Sequence, residues 1–177
     1  MRVVSGELRG RRIVAPGGTA TRPTTDKVRE AVFNALGSLD LLHGSHVADL
    51  YAGSGALGIE ALSRGAEHVV FVERDRSALT AMRENLADLG LEARAKVVPG
   101  DVMAMVASID ADVVFVDPPY EFDAWERLLS LIRAPFVVVE SGRSLGDADL
   151  GSGDWEITRS KRYGRTWVTF LRRPEES

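Results

Sequence analysis

The chain has 177 residues, 45% of them hydrophobic, and a formal net charge of -4, which suits one ordinary domain with an adequate core. It contains no cysteine, so disulfide frameworks, thiolate metal sites and cysteine nucleophiles are excluded. The opening MRVVSGELRGRR lacks the apolar stretch of a secretory signal, and no apolar run approaches membrane-spanning length, so a soluble, cytoplasmic protein is expected.

In chain order, Arg2 to Pro16 reads as two short strands around a turn at Gly6, and Pro16, Gly17 and Gly18 then break the pattern. Thr24, Thr25 and Asp26 supply helix-capping chemistry ahead of Val28, Ala31, Val32, Ala35, Leu36 and Leu39, which recur at helical spacing. The strand HVADLY comes next, followed by the glycine-rich run DLYAGSGALG and a helix through Ile59 and Leu62 to Gly65. A strand HVVFVE ends at Glu73, and the helix behind it aligns Leu79, Met82, Leu86 and Leu89 on one face. Strand ARAKVV ends near Gly100 and Asp101, and strand DVVFVD ends at Asp117. A helix carrying Trp125, Leu128, Leu129 and Ile132 precedes the strand FVVVE, and GRSLGDADLGSGD reads as a loop. WEITRSKR and RTWVTFLRR close the chain as a hairpin turning at Tyr163 and Gly164. Five near-continuous apolar strands separated by helices predict an α/β fold: a doubly wound, mostly parallel sheet with an antiparallel C-terminal hairpin. A single domain is expected, with a basic N-terminal β-hairpin extension over 1–24 and a Rossmann-like core over 25–177.

Charge is segregated along this pattern. Residues 1–29 hold seven basic and two acidic side chains, and residues 157–173 hold six basic and none acidic, while 30–156 hold nine basic and twenty-two acidic. Solvated faces account for many such runs, but two basic ends flanking an acidic body also suit a polyanion. If the ends converge in space they form a phosphate-binding surface. Arg2, Arg9, Arg11, Arg12, Arg22, Lys161, Arg162 and Arg165 are the candidates. Arg22 with Thr24 and Thr25 either lines a pocket or simply starts a helix.

Gly53, Gly55 and Gly58 satisfy GxGxxG, and Glu73 lies twenty residues beyond Gly53, where a ribose-binding acid belongs. Asp49, four residues before the first glycine, argues against a dinucleotide, because a carboxylate aimed into this loop repels a pyrophosphate. It suits S-adenosylmethionine, which carries an ammonium and a sulfonium and no phosphate. The glycines then admit the methionine and ribose closely. Glu73 is placed to accept from both ribose hydroxyls, and Asp101 to meet the adenine amine with Val102 against the ring. Tyr51, Gly58 and Arg74 complete the candidate set. Capping is the other reading of Asp49 and Asp101, and an aspartate can do both.

Asp117, Pro118, Pro119 and Tyr120 form the sharper signal. An exocyclic amine on a nucleobase is a poor nucleophile, since its lone pair is delocalised into the ring. Two acceptors gripping its hydrogens, the Asp117 carboxylate and the Pro118 carbonyl, localise that lone pair and aim it at a methyl group. Tyr120 offers a face for an extruded base. A rigid strand-to-helix turn is the plainer reading of two prolines. The lack of cysteine disfavours ring-carbon methylation that proceeds through covalent attack.

DLYAGSGALG, VERD and DPPY resemble the motifs of class I S-adenosylmethionine-dependent methyltransferases acting on exocyclic amines. RPTTDKVREAVFNAL and GALGIEALSRGA further resemble the RsmD family, which methylates a guanine N2 in small-subunit ribosomal RNA, and the resemblance spans nearly the whole chain. It implies a Rossmann-like methyltransferase with Asp49, Gly53, Gly55, Glu73 and Asp101 at the cofactor and Asp117, Pro118 and Tyr120 at the amine. It also implies small-subunit ribosomal RNA or a 30S assembly intermediate as partner. A monomer without a metal site is expected. Methyl transfer to another amine (adenine N6 or a protein glutamine) and a non-catalytic RNA-binding assembly role are the alternatives.

Overall fold

The computed structural model describes residues 1–17 and 25–176. Strands β1 (His46–Leu50), β2 (His68–Glu73), β3 (Ala95–Pro99), β4 (Val113–Val116), β5 (Phe136–Ser141), β6 (Glu156–Tyr163) and β7 (Thr166–Arg172) make one sheet in the order 3-2-1-4-5-7-6. The first five are parallel, β7 is antiparallel to β5, and β6 is antiparallel to β7. The apolar runs in β1, β4 and β5 are continuous because both faces of the sheet are covered.

On one face Val47, Val69, Phe71, Val113, Phe115 and Val138 pack beneath α1 (Asp26–Ser38), α2 (Ala56–Ser63) and α3 (Arg76–Asp88). On the other, Ala48, Leu50, Val72, Val114, Val116, Val137 and Val139 pack against α4 (Val102–Met105) and α5 (Trp125–Leu131). β1 and β4 lie side by side, yet α2 leads from β1 to β2 while α5 leads from β4 to β5. The connections therefore part at the carboxyl ends of these two strands and leave a crevice there. No helix among the described residues is long and apolar enough to cross a membrane.

Three elements differ from expectation. The two N-terminal strands reduce to a single bridge between Arg2 and Arg12. Around that bridge Val3 N–H donates to the Arg11 carbonyl and Ile13 N–H to the Met1 carbonyl (2.9 Å each), while the donors between the two arms go to α2: Val4 and Ser5 N–H donate to the Glu60 carboxylate (2.7 and 3.1 Å), and Leu8 N–H donates to the Ser63 hydroxyl (3.0 Å). Gly6, at φ +90°, presses so closely on Ser63 that a Cβ there would lie 2.0 Å from its carbonyl oxygen. Secondly, β3 starts at Ala95, because Arg94 belongs to a short 3-10 turn and points back to the carbonyls of Leu62 and Ala66. Thirdly, the loop after β5 contains one helical turn, α6 (Asp147–Leu150), pinned by an Arg143–Asp149 ion pair at 2.7 Å.

Arg29 leaves the basic N-terminal surface altogether. It is fully buried, with Nε 3.4 Å from Glu60, and it donates to Asp26 and to the Arg2 carbonyl. The hydrophobic periodicity of α1 gave no sign that an arginine would sit on its buried face.

Candidate active site

The glycine loop is built by backbone that few side chains tolerate. Tyr51, just past β1, has φ +57°, Gly53 has φ +58° and Gly55 has φ +86°. A left-handed tyrosine costs free energy, and such residues gather at functional turns. The three motif glycines have different roles. An added Cβ at Gly53 meets nothing within 4 Å, so the backbone there borders open space. At Gly58 it would come within 2.2 Å of the Phe71 ring, so this glycine lets α2 lie against β2. Gly58, expected at the cofactor, is thus a buried packing residue.

Asp49 is only 1% exposed and accepts the Gly58 N–H at 2.9 Å. Gly55, the N-cap of α2, has no side chain to cap with, so the carboxylate reaches across from β1. Burial pushes the Asp49 carboxyl well above the usual aspartate range. The Gly58 N–H opposes that shift, while the negative charges of Asp117 and Glu73 add to it. The capping reading of Asp49 therefore holds, and the surrounding field still favours a cation.

Glu73 is nearly buried, and backbone groups hold it. Its Oε1 accepts from Gly53 N–H at 3.0 Å, and its Oε2 accepts from Arg74 and Asp75 N–H at 2.8 Å each. A carboxylate has about four acceptor positions, so roughly one remains, on Oε1. Two ribose hydroxyls can bond here together only if a backbone donor gives way.

Tyr51 is half-buried, and its hydroxyl is pushed up to about 12 by burial and by nearby Asp101, against the opposing charge of Arg74. These three side chains therefore share one flank of the crevice. Asp101 caps α4 through a long contact to Met103 N–H (3.4 Å) and remains exposed, so it is open to a second partner. Val102, expected against an adenine, is 2% exposed and packed into the α5-side core, which leaves it almost no surface for a ring.

Asp117 and Pro118 follow β4 directly and are half-buried. The Tyr120 ring is 53% exposed, its hydroxyl donates to the Arg165 carbonyl at 3.2 Å, and the ring lies over Gly142. A cavity of about 470 Å³ opens between Tyr120, Gly142, Arg162 and Arg165. A second, of about 350 Å³, lies along Pro118, Pro119 and Phe122. The C-terminal hairpin thus brings its arginines to the edge of the DPPY turn. Lys161 is exposed on the same hairpin.

Arg2, Arg9, Arg11 and Arg12 are all exposed, and Arg11 donates to the Asp88 carbonyl at the end of α3. They ride on α2 and α3, below the β1–β3 half of the sheet, whereas Arg162 and Arg165 stand at its far edge beyond β5. Arg11 thus sits at the C-terminal end of α3, while Arg162 and Arg165 sit by the DPPY turn. Arg22 and Thr24 lie outside the described residues.

Two contributors lie outside the set expected from the sequence. Asn85, 1% exposed, donates to the carbonyls of Val14 (2.9 Å) and Ser54 (3.0 Å), tying the N-terminal segment to the glycine loop. Phe122 packs edge-on to Tyr51 (5.8 Å) and to Trp125 (4.8 Å), joining the glycine loop to the DPPY turn through one aromatic row. An asparagine inside an amphipathic helix is the one hint that could have flagged Asn85.

A family profile described as Conserved hypothetical protein 95 matches residues 1–172. YlbH of Bacillus subtilis is 40% identical over 98% of this chain and 99% of its own. Ribosomal RNA small subunit methyltransferase D of Escherichia coli is 32% identical over 98% of this chain and 90% of its own. Among solved structures, Escherichia coli yhhF superposes with a TM-score of 0.85 at 34% identity, covering 98% of this chain and 97% of that one. With the profile spanning almost the whole chain and the fold shared end to end, the protein belongs to the RsmD family of methyltransferases.

Proposed function

We propose that the protein transfers a methyl group from S-adenosylmethionine to the exocyclic N2 amine of a guanine in small-subunit ribosomal RNA, in the cytoplasm. The observation that carries this reading is the placement of Asp117 beside the glycine loop. β1 and β4 pair in parallel register, Leu50 opposite Val116, so the residues following each strand share one crevice. The site fits the cofactor: open space at Gly53, a spare acceptor on Glu73, and three neighbouring carboxylates to favour an ammonium and a sulfonium.

When bound, S-adenosylmethionine supplies an electrophilic methyl carbon. Glu73 holds the ribose, the Asp49 carboxyl buried beneath the glycine loop acts on the cationic portion through its field, and Asp101 remains available to a base amine. The Asp117 carboxylate and the Pro118 carbonyl accept the two N2 hydrogens and localise the nitrogen lone pair. After transfer the amine carries one proton too many, which Asp117 accepts or passes to water. Tyr120 supplies a stacking face for the extruded base, and Arg162 and Arg165 meet the adjoining phosphates. The exposed Arg2, Arg9, Arg11 and Arg12 offer further phosphate contacts away from the reacting base.

The test is transfer of labelled methyl to small-subunit RNA, offered naked and as partly assembled particles, with the product nucleoside identified by mass spectrometry. N2-methylguanosine is the expected product. Methyladenosine, or no incorporation by a protein that binds the cofactor, would overturn the assignment.

A further inference from the structure

A clamp on an amine does not by itself distinguish guanine from adenine, since both bases present an exocyclic NH2. Glu140 is the residue beside Asp117 across the sheet. β4 and β5 run parallel with Val116 opposite Val139, so Asp117 and Glu140 come next on neighbouring strands. Adjacent strands lie about 4.8 Å apart.

Side chains alternate along each strand. Val113 and Phe115 of β4 and Phe136 and Val138 of β5 enter the core beneath α1, whereas Val114, Val116, Val137 and Val139 enter the core beneath α5. Continuing both alternations sends Asp117 and Glu140 to the same face. Glu140 is 6% exposed at the end of a strand that is otherwise apolar up to that point. A carboxylate in such a place costs free energy unless hydrogen-bond donors meet it, and packing alone would be better served by another valine.

Resting on the function proposed above, we infer that Glu140 selects the base: its carboxylate accepts the guanine N1–H while Asp117 holds the adjacent N2 amine. Guanine presents N1–H and N2–H2 as neighbouring donors, which suits two carboxylates side by side. Adenine presents a bare N1 acceptor next to its amine, and its lone pair would face the carboxylate. Glu140 is engaged within the protein before RNA arrives, so the base shares or takes over that engagement. The residue contributes specificity and positioning, and the chemistry stays with Asp117.

The experiment compares the natural RNA target with the same RNA carrying 2-aminopurine at the methylated position. This analogue keeps the amine on C2 but presents N1 as an acceptor. Wild type is expected to prefer guanine by about tenfold or more in kcat/KM, the scale of a single base-edge contact. Glu140→Gln, whose amide can donate to N1, should narrow or reverse that ratio while cofactor affinity stays unchanged. Loss of O6 in the analogue is common to both proteins, so it cancels from the change in ratio. Glu140→Asp, which keeps the charge but withdraws it, should lower the preference partway and serves if the glutamine variant does not fold. An identical guanine to 2-aminopurine ratio in wild type and variant would overturn the role of Glu140 alone. Wild type inactive on the guanine RNA would overturn the proposed function, and this inference with it.

Discussion

Replacing Glu60 by glutamine tests how the N-terminal segment is held. The Glu60 carboxylate accepts Val4 N–H (2.7 Å), Ser5 N–H (3.1 Å) and Arg64 Nε (3.0 Å), and it faces Arg29 Nε at 3.4 Å. Neither the Glu60 nor the Arg29 side chain has any exposure. Glutamine keeps the shape but removes the charge, and turns an NH2 towards groups that are themselves donors. Breaking a buried pair from one side costs about 3–5 kcal/mol, because the remaining charge stays buried. Against a total stability of roughly 5–15 kcal/mol that loss is readily measured by urea denaturation. Hydrogen exchange at the Val4 and Ser5 amides should accelerate more than in the central strands, since these amides lose their acceptor directly. RNA affinity should fall as Arg2, Arg9, Arg11 and Arg12 lose their platform, with cofactor affinity retained. A stability change under about 1 kcal/mol, or unchanged exchange at Val4 and Ser5, would refute the anchoring role.

Three further outcomes are expected. Asp49→Asn should raise the stability of the ligand-free protein at neutral pH and weaken cofactor binding. The wild-type carboxyl binds its proton more tightly folded than unfolded, so wild type loses stability as pH rises from the ordinary aspartate value towards the raised one. Urea titrations across that window should show this dependence in wild type and its absence in the variant; parallel curves would count against a buried, perturbed Asp49. Replacing Arg162 and Arg165 together by alanine should reduce the slope of log affinity against log salt for RNA by roughly 0.7 for each phosphate no longer neutralised, and an unaltered slope removes them from the interface. In Gly142→Ala the new Cβ would lie 2.4 Å from the Tyr120 ring, so the ring must move. Turnover on RNA should then drop about tenfold or more with cofactor affinity intact, and wild-type kcat/KM would show that the ring position is immaterial.

The sheet was legible because its signals are local. VVF, FVVV and HVVFVE are short, β-branched apolar runs that read as buried strands, and glycine or proline marks the junctions after β1 and β4. The pairing of Asp49 with the glycine loop, and the position of Asp117 at a strand end, followed from that pattern. The extent of the N-terminal strands did not, because a hairpin signal from Val3, Gly6 and Ile13 says nothing of a carboxylate at Glu60 that takes the Val4 and Ser5 donors and ends the pairing after one bridge. The buried contacts of Arg29 with Glu60 and of Asn85 with Val14 and Ser54 were not legible for a similar reason: those partners lie far along the chain. The separate roles of Gly53 and Gly58 also needed the structure, because the motif spaces both alike while only Gly58 has Phe71 behind it.

On the proposed function, Asp117 grips the reacting amine beside the glycine loop. The direct measurement is single-turnover methyl transfer to the RNA by wild type and Asp117→Ala, with cofactor affinity measured by calorimetry on the same samples. The rate of transfer should fall by about 10² to 10³, the usual scale for removing one preorganised electrostatic contact, with cofactor affinity close to wild type. Near-normal transfer by Asp117→Ala would contradict that role for Asp117.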